Sequence, residues 1–262
     1  MAVFWDCGGS KGRQMAEGWD GQEKVQIALD GVTLARDGRL ILQDITLTTD
    51  ARRIGILGRN GSGKTTLARL LCGLIAPDRG SLRVGGVDVA RDRRAALRTV
   101  GILFQNPDHQ IIFPTVTEEL TFGLIQLGQD KAQAAATVAR ILSDFGKSHW
   151  AEAATHSLSH GQKQLVCLMA VIAMAPRVVI LDEPFSGLDL VTRLQLGAYL
   201  ARIEATVVHI THDPEALRDY DLAIWLDEGR IVQSGAAAAV KDAYVARMME
   251  LGAGDDLSDL AG

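Results

Sequence analysis

The sequence predicts an α/β fold built on a mostly parallel β-sheet. Short apolar runs rich in β-branched residues recur along the chain and alternate with segments whose apolar residues have helical spacing. These runs are Arg53–Leu57, Thr99–Phe104, Val178–Leu181 and Thr206–Ile210. Continuous apolar runs are typical of strands that are covered on both faces, as in parallel sheets. Ligands of such sheets bind at the carboxyl ends of the strands.

Before the first of these strands, the sequence predicts an antiparallel β-subdomain. Two strand-like runs, Val25–Leu34 and Leu40–Leu47, flank the turn residues Asp37-Gly38. A further strand of the same sheet is predicted at Ser81–Val84. Residues 1–21 contain five glycines and mixed charge, and we predict that they form a flexible extension.

An inserted α-helical subdomain is predicted at about residues 106–160. Thr115 and Glu118 have the spacing of a capping box, which predicts that a helix begins there. A second helix is predicted at Lys131–Phe145. Its apolar residues recur on one face, which consists of Ala134, Val138, Ile141 and Leu142.

The carboxyl-terminal part continues the alternation of helices and strands. Helices are predicted at Leu165–Ala175, Leu190–Glu204 and Ala236–Leu251, and another is predicted to begin at Asp213-Pro214. The runs Leu222–Leu226 and Arg230–Gln233 flank Asp227-Glu228-Gly229 and predict a hairpin. We predict one domain at residues 22–252 and a flexible acidic tail at 253–262.

A glycine-rich stretch, GRNGSGKTT at residues 58–66, lies between the strand at Arg53–Leu57 and an apolar helix. A GxxxxGK[ST] match between a strand and a helix predicts a phosphate-binding P-loop. The weaker alternative is a glycine-rich turn with a surface lysine. Lys64 would reach the β- and γ-phosphates, and the Thr65 hydroxyl would bind Mg²⁺. The predicted nucleotide contacts are Gly58, Asn60, Gly61, Ser62, Gly63, Lys64, Thr65 and Thr66.

Polar residues follow several of the predicted parallel strands. They are Gln105, Asp182, Glu183 and His212. Since the carboxyl ends of parallel strands meet at one edge of the sheet, we expect these side chains to converge beside the P-loop. Asp182 would hold Mg²⁺, through a water molecule. Glu183 would orient or deprotonate the water that attacks the γ-phosphate.

Composition and sequence pattern argue against several other classes of protein. The net charge is −5 and no face is basic, which disfavours nucleic acid as the main partner. The three cysteines are far apart, which disfavours disulfide and zinc frameworks and fits a reducing cytoplasm. The longest apolar run, Leu165–Pro176, is too short to span a bilayer, and the N-terminus lacks the apolar region of a secretory signal. We therefore expect a soluble chain whose membrane role would need a partner.

The order GRNGSGKTT, Gln105, LSHGQ, VVILDEP, SGLD and THD resembles the ATP-binding subunits of ABC transporters over about residues 24–250. The resemblance implies ATP and Mg²⁺ as cofactors and a dimer that sandwiches two nucleotides. It implies that Ser159, Gly161 and Gln162 bind the γ-phosphate of the nucleotide held by the opposite subunit. It also implies catalytic or sensing roles for Gln105 and His212 beside the γ-phosphate. Gln105 is further implied to contact Mg²⁺ and a membrane subunit. Asp189 is implied to lie at the dimer interface.

A narrower resemblance lies in FQNPDHQ at residues 104–110 and in the segments 113–116 and 119–123. These resemble energy-coupling-factor ATPases, which drive uptake of vitamins and of cobalt or nickel ions, and are most similar to the biotin-uptake type, with the cobalt type next. The implied partners are a second ATPase subunit, favoured to be a second copy, a transmembrane coupling subunit and a small membrane substrate-binding subunit. The implied location is peripheral, on the cytoplasmic face of the cell membrane. Alternatives are a soluble ABC ATPase acting on a macromolecule and a P-loop kinase.

Two positions depart from the family pattern, and several residues have plainer interpretations. His160 stands where the family has glycine, and a positive φ there would strain it. Arg36 stands where the family has an aromatic residue that stacks on adenine; a guanidinium can also stack on a base, or Arg36 is a surface residue. Ser159 and Asp189 could simply be helix caps, and His209 is predicted to be a structural or a surface residue.

Overall fold

The structure, a computed structural model, describes residues 24–254, so the predicted extension at residues 1–21 and nearly all of the predicted tail lie outside the described residues. Two sheets form the frame. The smaller is antiparallel, in the order β2-β1-β4, with strands β1 (Ile27–Arg36), β2 (Arg39–Thr49) and β4 (Arg79–Val84). The predicted antiparallel β-subdomain is therefore confirmed.

The larger sheet has the order β5-β6-β7-β3-β8-β9. Its strands are β3 (Arg53–Leu57), β5 (Val100–Leu103), β6 (Val178–Asp182), β7 (Thr206–Thr211), β8 (Leu222–Asp227) and β9 (Arg230–Ala236). Every pairing is parallel except that of β8 with β9, which form the predicted hairpin. Strands β6 and β7 are buried throughout, as continuous apolar strands covered on both faces should be. The mostly parallel α/β fold is confirmed.

Helices cover both faces of this sheet and form the insertion. Their bounds are α1 (Lys64–Leu71), α2 (Arg93–Thr99), α3 (Val116–Gln126), α4 (Lys131–Asp144), α5 (His160–Ala173), α6 (Leu190–Ala201) and α7 (Ala237–Gly254). A hydrophobic core packs α3, α4 and α5 against β5 and β6, which fixes the insertion on the parallel sheet. Among residues 24–254, the helices lack the combination of length and apolar character that crossing a membrane requires.

Two helix predictions need correction, and one helix was not predicted. Helix α5 begins at His160, five residues before the predicted Leu165, because Ser159 and Gln162 form a capping box ahead of the apolar run. The helix predicted to begin at Asp213-Pro214 is only a short 3₁₀ turn, Pro214–Leu217. Helix α2 was not predicted; Asp92 caps it, but only Ala96 and Thr99 are buried, so its sequence lacks an apolar stripe.

Candidate nucleotide-binding site

The glycine-rich loop between β3 and α1 has a backbone that other residues could not adopt. Gly61 and Gly63 have φ values of 80° and 103°, in the region that L side chains rarely occupy. A Cβ on Gly58 would lie 2.3 Å from the backbone oxygen of Leu226, whereas one on Gly61 would meet nothing within 4 Å. The loop is therefore packed tightly at Gly58 against β8, and at Gly61 it faces open space that a ligand could fill.

Lys64 is buried inside this loop. Its ammonium donates to the backbone oxygens of Gly58 at 2.7 Å and Arg59 at 2.8 Å. Burial lowers the pKa of Lys64, while the nearby carboxylates of Glu183 and Asp182 act in the opposite direction. An ammonium ion held at a glycine-rich turn and at the N-terminus of α1 attracts an anion, so the loop has the chemistry of a phosphate site.

A hydroxyl and a carboxylate lie side by side next to the loop. Thr65 Oγ1 donates to Asp182 Oδ1 at 3.3 Å, although the two residues are 117 positions apart in the chain. Asp182 is 2% exposed. Burial raises its pKa, and the hydrogen bond from Thr65 opposes that shift. Two hard oxygen ligands, one of them a buried carboxylate, fit the preference of Mg²⁺.

Glu183 is held in an unusual backbone conformation. Its φ is 49° although it is not glycine, and its backbone N–H donates to the oxygen of Ile210 on β7 at 3.0 Å. Its side-chain Oε1 lies 2.8 Å from Nδ1 of His212. Strained residues of this kind persist where surrounding structure fixes them, often at functional sites. Glu183 also lines the cavity beside the P-loop.

One cavity gathers these groups at the carboxyl edge of the sheet. It is lined by Ile41, Asn60, Gly61, Gly63, Lys64, Thr65, Thr66, Gln105, Glu183, Ser186 and His212. Asp182 lines the adjoining cavity, together with Thr65 and Gln105. The structure therefore brings together the strand-end residues that the sequence places beside the P-loop.

Sequence reasoning missed two residues of this cavity, Ser186 and Ile41. Ser186 Oγ accepts a hydrogen bond from Nε2 of Gln105 at 3.2 Å. In the sequence, Ser186 appears only as the first residue of the SGLD motif, and its position four residues after the end of β6 was the one available indication. Ile41 comes from β2, in the other sheet, and no local pattern points to it.

Ser159, Gly161 and Gln162 lie at a different place, away from the P-loop cavity. They line a second cavity together with Thr192 of α6. Ser159 Oγ accepts from the Gln162 N–H at 3.3 Å, and Gln162 Oε1 accepts from the Ser159 N–H at 2.8 Å. Asp189 caps α6, since its carboxylate accepts from the backbone and hydroxyl of Thr192. The capping interpretations of Ser159 and Asp189 both hold, and these residues form a second cluster that does not reach the chain's own P-loop.

The close approach of Thr192 leaves no room for a side chain at Gly161. A Cβ there would lie 2.4 Å from Cγ2 of Thr192. His160, by contrast, is the first residue of α5 and does not have a positive φ, so the strain expected at this position is absent. Its ring lies within 4 Å of where a Cβ on Gly187 would be.

Arg36 is exposed at the end of β1, and its guanidinium donates to the backbone oxygen of Ala35 at 3.3 Å. It is not among the described residues that line the P-loop cavity. His209 is buried and contacts the hydroxyl of Tyr220, as expected of a structural histidine.

Comparisons with known proteins agree with this geometry. A family profile for ABC transporters matches residues 42–186. A curated protein, the biotin transport ATP-binding protein BioM of Rhodobacter capsulatus, is 49% identical over 225 residues, which cover 86% of this chain and 96% of the relative. BioM of Rhizobium etli is 36% identical over 229 residues, 87% of this chain and all of the relative.

Among solved structures, cbiO1 from Clostridium perfringens, described as part of the ABC transporter complex cbiONQ, has a TM-score of 0.72 and 28% identity, and the match covers 87% of this chain and 96% of that one. The range that the family profile matches includes the P-loop, the acidic strand end and the Ser159 loop. The chain belongs to the ABC transporter family, as an ATP-binding subunit that hydrolyses ATP.

Proposed function

We propose that this chain powers an importer of the energy-coupling-factor type, and that its transported substrate is biotin. The observation that carries this proposal is the 49% identity to a biotin transport ATP-binding protein across 96% of that relative's length. The similarity to cbiO1, part of a cbiONQ complex, supports the importer type. Cobalt or nickel is the alternative substrate, and a soluble ABC ATPase acting on a macromolecule is the alternative class.

Hydrolysis would depend on a division of roles around the P-loop. The N–H groups of residues 58–66 and Lys64 bind the phosphates, and Thr65 with Asp182 would hold Mg²⁺. Mg²⁺, when bound, neutralises negative charge that develops on the phosphates. Glu183 accepts a proton from the attacking water, and His212 holds that carboxylate through the 2.8 Å contact. Gln105, hydrogen-bonded to Ser186, lines the same cavity as Lys64.

The second cluster supports a dimer. The Ser159 loop lies at the N-terminus of α5, where the helix dipole favours an anion, yet it does not line the chain's own P-loop cavity. Each chain thus carries both halves of a site, but not assembled together. A head-to-tail pair of identical chains completes two sites by symmetry, each with the P-loop of one chain and Ser159 of the other. Asp189, beside the Ser159 loop, would lie at that interface.

An exposed apolar surface in the segment that follows Gln105 supports membrane partners. Ile112 is 66% exposed and Phe122 is 41% exposed, and the rings of Phe113 and Phe122 lie 5.1 Å apart. The carboxylate of Glu119 accepts hydrogen bonds from the backbone N–H groups of Ile112 and Phe113, each at 2.9 Å, and so fixes this segment. We propose that a transmembrane coupling subunit docks here and that a small substrate-binding subunit completes the complex, on the cytoplasmic face of the membrane and without nucleic acid.

The general-base assignment is tested by Glu183→Gln, which keeps the shape of the side chain and removes its basicity. We expect nucleotide binding to be retained and turnover to fall by about 10²- to 10⁴-fold. Glu228 is a matched control, because it is an exposed glutamate with a similar φ of 45°. Glu228→Gln should leave turnover unchanged. Normal turnover in Glu183→Gln would contradict the assignment.

The importer proposal is tested by affinity purification of the chain from native membranes, followed by mass spectrometry. Recovery of a biotin-type coupling and substrate-binding subunit, with ATP-dependent uptake of labelled biotin in the reconstituted complex, is the expected result. Uptake of cobalt or nickel instead would replace the substrate and keep the importer. Recovery of soluble partners alone, with ATPase activity intact, would overturn the importer.

A further inference from the structure

Two neighbouring residues of the first turns of α5 hold the segment around Gln105 from both sides. Lys163 Nζ donates to Asp108 Oδ1 at 2.6 Å. Gln164 Nε2 donates to the backbone oxygen of Phe104 at 3.1 Å. Phe104 directly precedes Gln105, and Asp108 follows it by three positions. The segment that carries Gln105 is therefore connected to α5 on either side.

The inner connection, which is the hydrogen bond from Gln164 to Phe104, is buried. Gln164 is 1% exposed, and its Oε1 has no hydrogen-bond partner within residues 24–254. The N–H of Phe104 is held by another side chain, since it donates to Oε1 of Gln110 at 3.1 Å. Side chains therefore bind both the backbone N–H and the backbone oxygen of Phe104, the residue that follows β5. A buried amide that satisfies a backbone carbonyl is expensive to remove, because the carbonyl would be left unpaired.

The outer connection, between Lys163 and Asp108, is an ion pair at the surface. The side chain of Lys163 is 19% exposed and that of Asp108 is 57% exposed. The hydrogen bond from Lys163 is the main reason that the pKa of Asp108 lies below its ordinary value, and the nearby rings of His160 and His109 contribute less. Asn106 accepts from the N–H of Asp108 at 2.9 Å and so orders the short turn that presents the carboxylate.

Helix α5 also carries the Ser159 loop, about one turn before Lys163. In the dimer proposed above, Gln105 serves the chain's own nucleotide, whereas Ser159 serves the nucleotide on the opposite chain. Because one turn of a hydrogen-bonded helix moves as a unit, a displacement of the Gln105 segment that pulls on Lys163 and Gln164 displaces Ser159 too. The two connections therefore join elements of two different nucleotide sites.

We propose that Asp108, Lys163 and Gln164 are positioning residues that couple the two nucleotide sites of the dimer. They transmit the position of Gln105 at one site to the Ser159 loop at the other. This inference rests on the proposed head-to-tail dimer. It assigns these three side chains a role in cooperativity and none in contacting ATP.

A charge swap tests the outer connection, because both partners are partly exposed and their replacement spares the core. The variants are Lys163→Asp, Asp108→Lys and the double swap. We expect each single variant to lower the kcat for ATP by about two- to fivefold, the range of a surface ion pair. Each should also bring the Hill coefficient of hydrolysis from above 1 toward 1, with nucleotide affinity unchanged. The double swap should restore both. The matched control is a swap of Arg140 and Asp144, an ion pair on α4 at 3.3 Å, which should alter neither quantity.

Three results would overturn the inference: a Hill coefficient of 1 in the wild type, single variants that hydrolyse ATP as the wild type does, or a double swap that leaves the defects of the single variants uncorrected. Failure of the dimer is seen separately. With ATP bound and hydrolysis blocked, Glu183→Gln should elute as a dimer in size-exclusion chromatography. A monomer there would contradict the proposed dimer itself, whatever the charge swap shows.

Discussion

His209 makes the stability of this protein depend on pH in a way that can be calculated. It lies in β7, is 2% exposed, and its Nδ1 is 2.9 Å from the hydroxyl of Tyr220. Its Nε2 is buried with no partner within the described chain. In the charged ring both nitrogens carry a proton, and the proton on Nε2 would be buried without an acceptor. Burial accordingly lowers the pKa of His209 from 6.5 to about 4.

The sign and size of the effect follow from proton linkage. Between pH 6.5 and about pH 4 the unfolded chain binds a proton at His209 and the folded chain does not. The free energy of unfolding therefore falls as the pH falls through this window, by up to about 1.4 kcal/mol per pH unit. The contribution of His209 is fully present above pH 6.5. About 2 kcal/mol of it is lost by pH 5, and roughly 3 kcal/mol by pH 4.

The assay is urea unfolding of the wild type and of His209→Gln, without nucleotide, at pH 7 and pH 5. Glutamine does not titrate, and its amide can still bond to Tyr220. Carboxylates titrate equally in both proteins, so the difference between their pH dependences isolates His209. The wild type should lose about 2 kcal/mol more than the variant between the two pH values.

Equal losses of stability in the two proteins would refute the reasoning. That result would mean that the folded protein accepts a proton at His209 as readily as the unfolded chain does, so that burial in β7 does not exclude the charged ring.

Two further predictions concern backbone geometry. Gly63→Ala should weaken nucleotide binding, measured by titration, by about tenfold or more, because the residue has φ 103° and its Cβ would lie 2.9 Å from the backbone oxygen of Ile41. Gly128→Ala is the control, since this residue has φ 93° but open space around its Cβ position, and it should leave the affinity unchanged. Glu119→Ala should lower the free energy of unfolding by about 2–3 kcal/mol, because it leaves the backbone N–H groups of residues 112 and 113 without their acceptor. It should also reduce co-purification of a membrane subunit. Glu118→Ala, which removes only a helix cap, should cost about 1 kcal/mol and spare that binding. Gly63→Ala with full affinity, or Glu119→Ala with unchanged unfolding, would contradict the respective argument.

Helix α4 shows why local patterns were reliable in places. Its buried residues are the four that apolar periodicity predicts, Ala134, Val138, Ile141 and Leu142. The capping box at Thr115 and Glu118 also forms as predicted. Both features depend on contacts within one helical turn or on a single stripe facing the core, and the sequence carries that information directly.

Helix α2 and the start of α5 show where local patterns were insufficient. Helix α2 buries little, so periodicity does not reveal it. The start of α5 is polar, and the apolar run that follows suggested a later start. The condition for strain at His160, a positive φ, is not met, because Ser159 caps the helix and His160 is the first residue of α5.

The sequence by itself determined the chemistry of this protein: a phosphate-binding loop, acids after a buried strand, a histidine after another, and a Ser-x-Gly-Gln turn that begins a helix. Because parallel strands end at one edge of the sheet, the sequence also predicted that the strand-end residues converge beside the P-loop. Only the tertiary structure decided the order of the strands and which side chains contact each other. The strand order β5-β6-β7-β3 brings Gln105, Glu183 and His212 to the P-loop, and it leaves Ser159 in a separate cavity. The physical reason is that pairing between parallel strands joins segments more than a hundred residues apart, such as Ile56 on β3 and Ile210 on β7, and no local sequence pattern encodes that choice of neighbours.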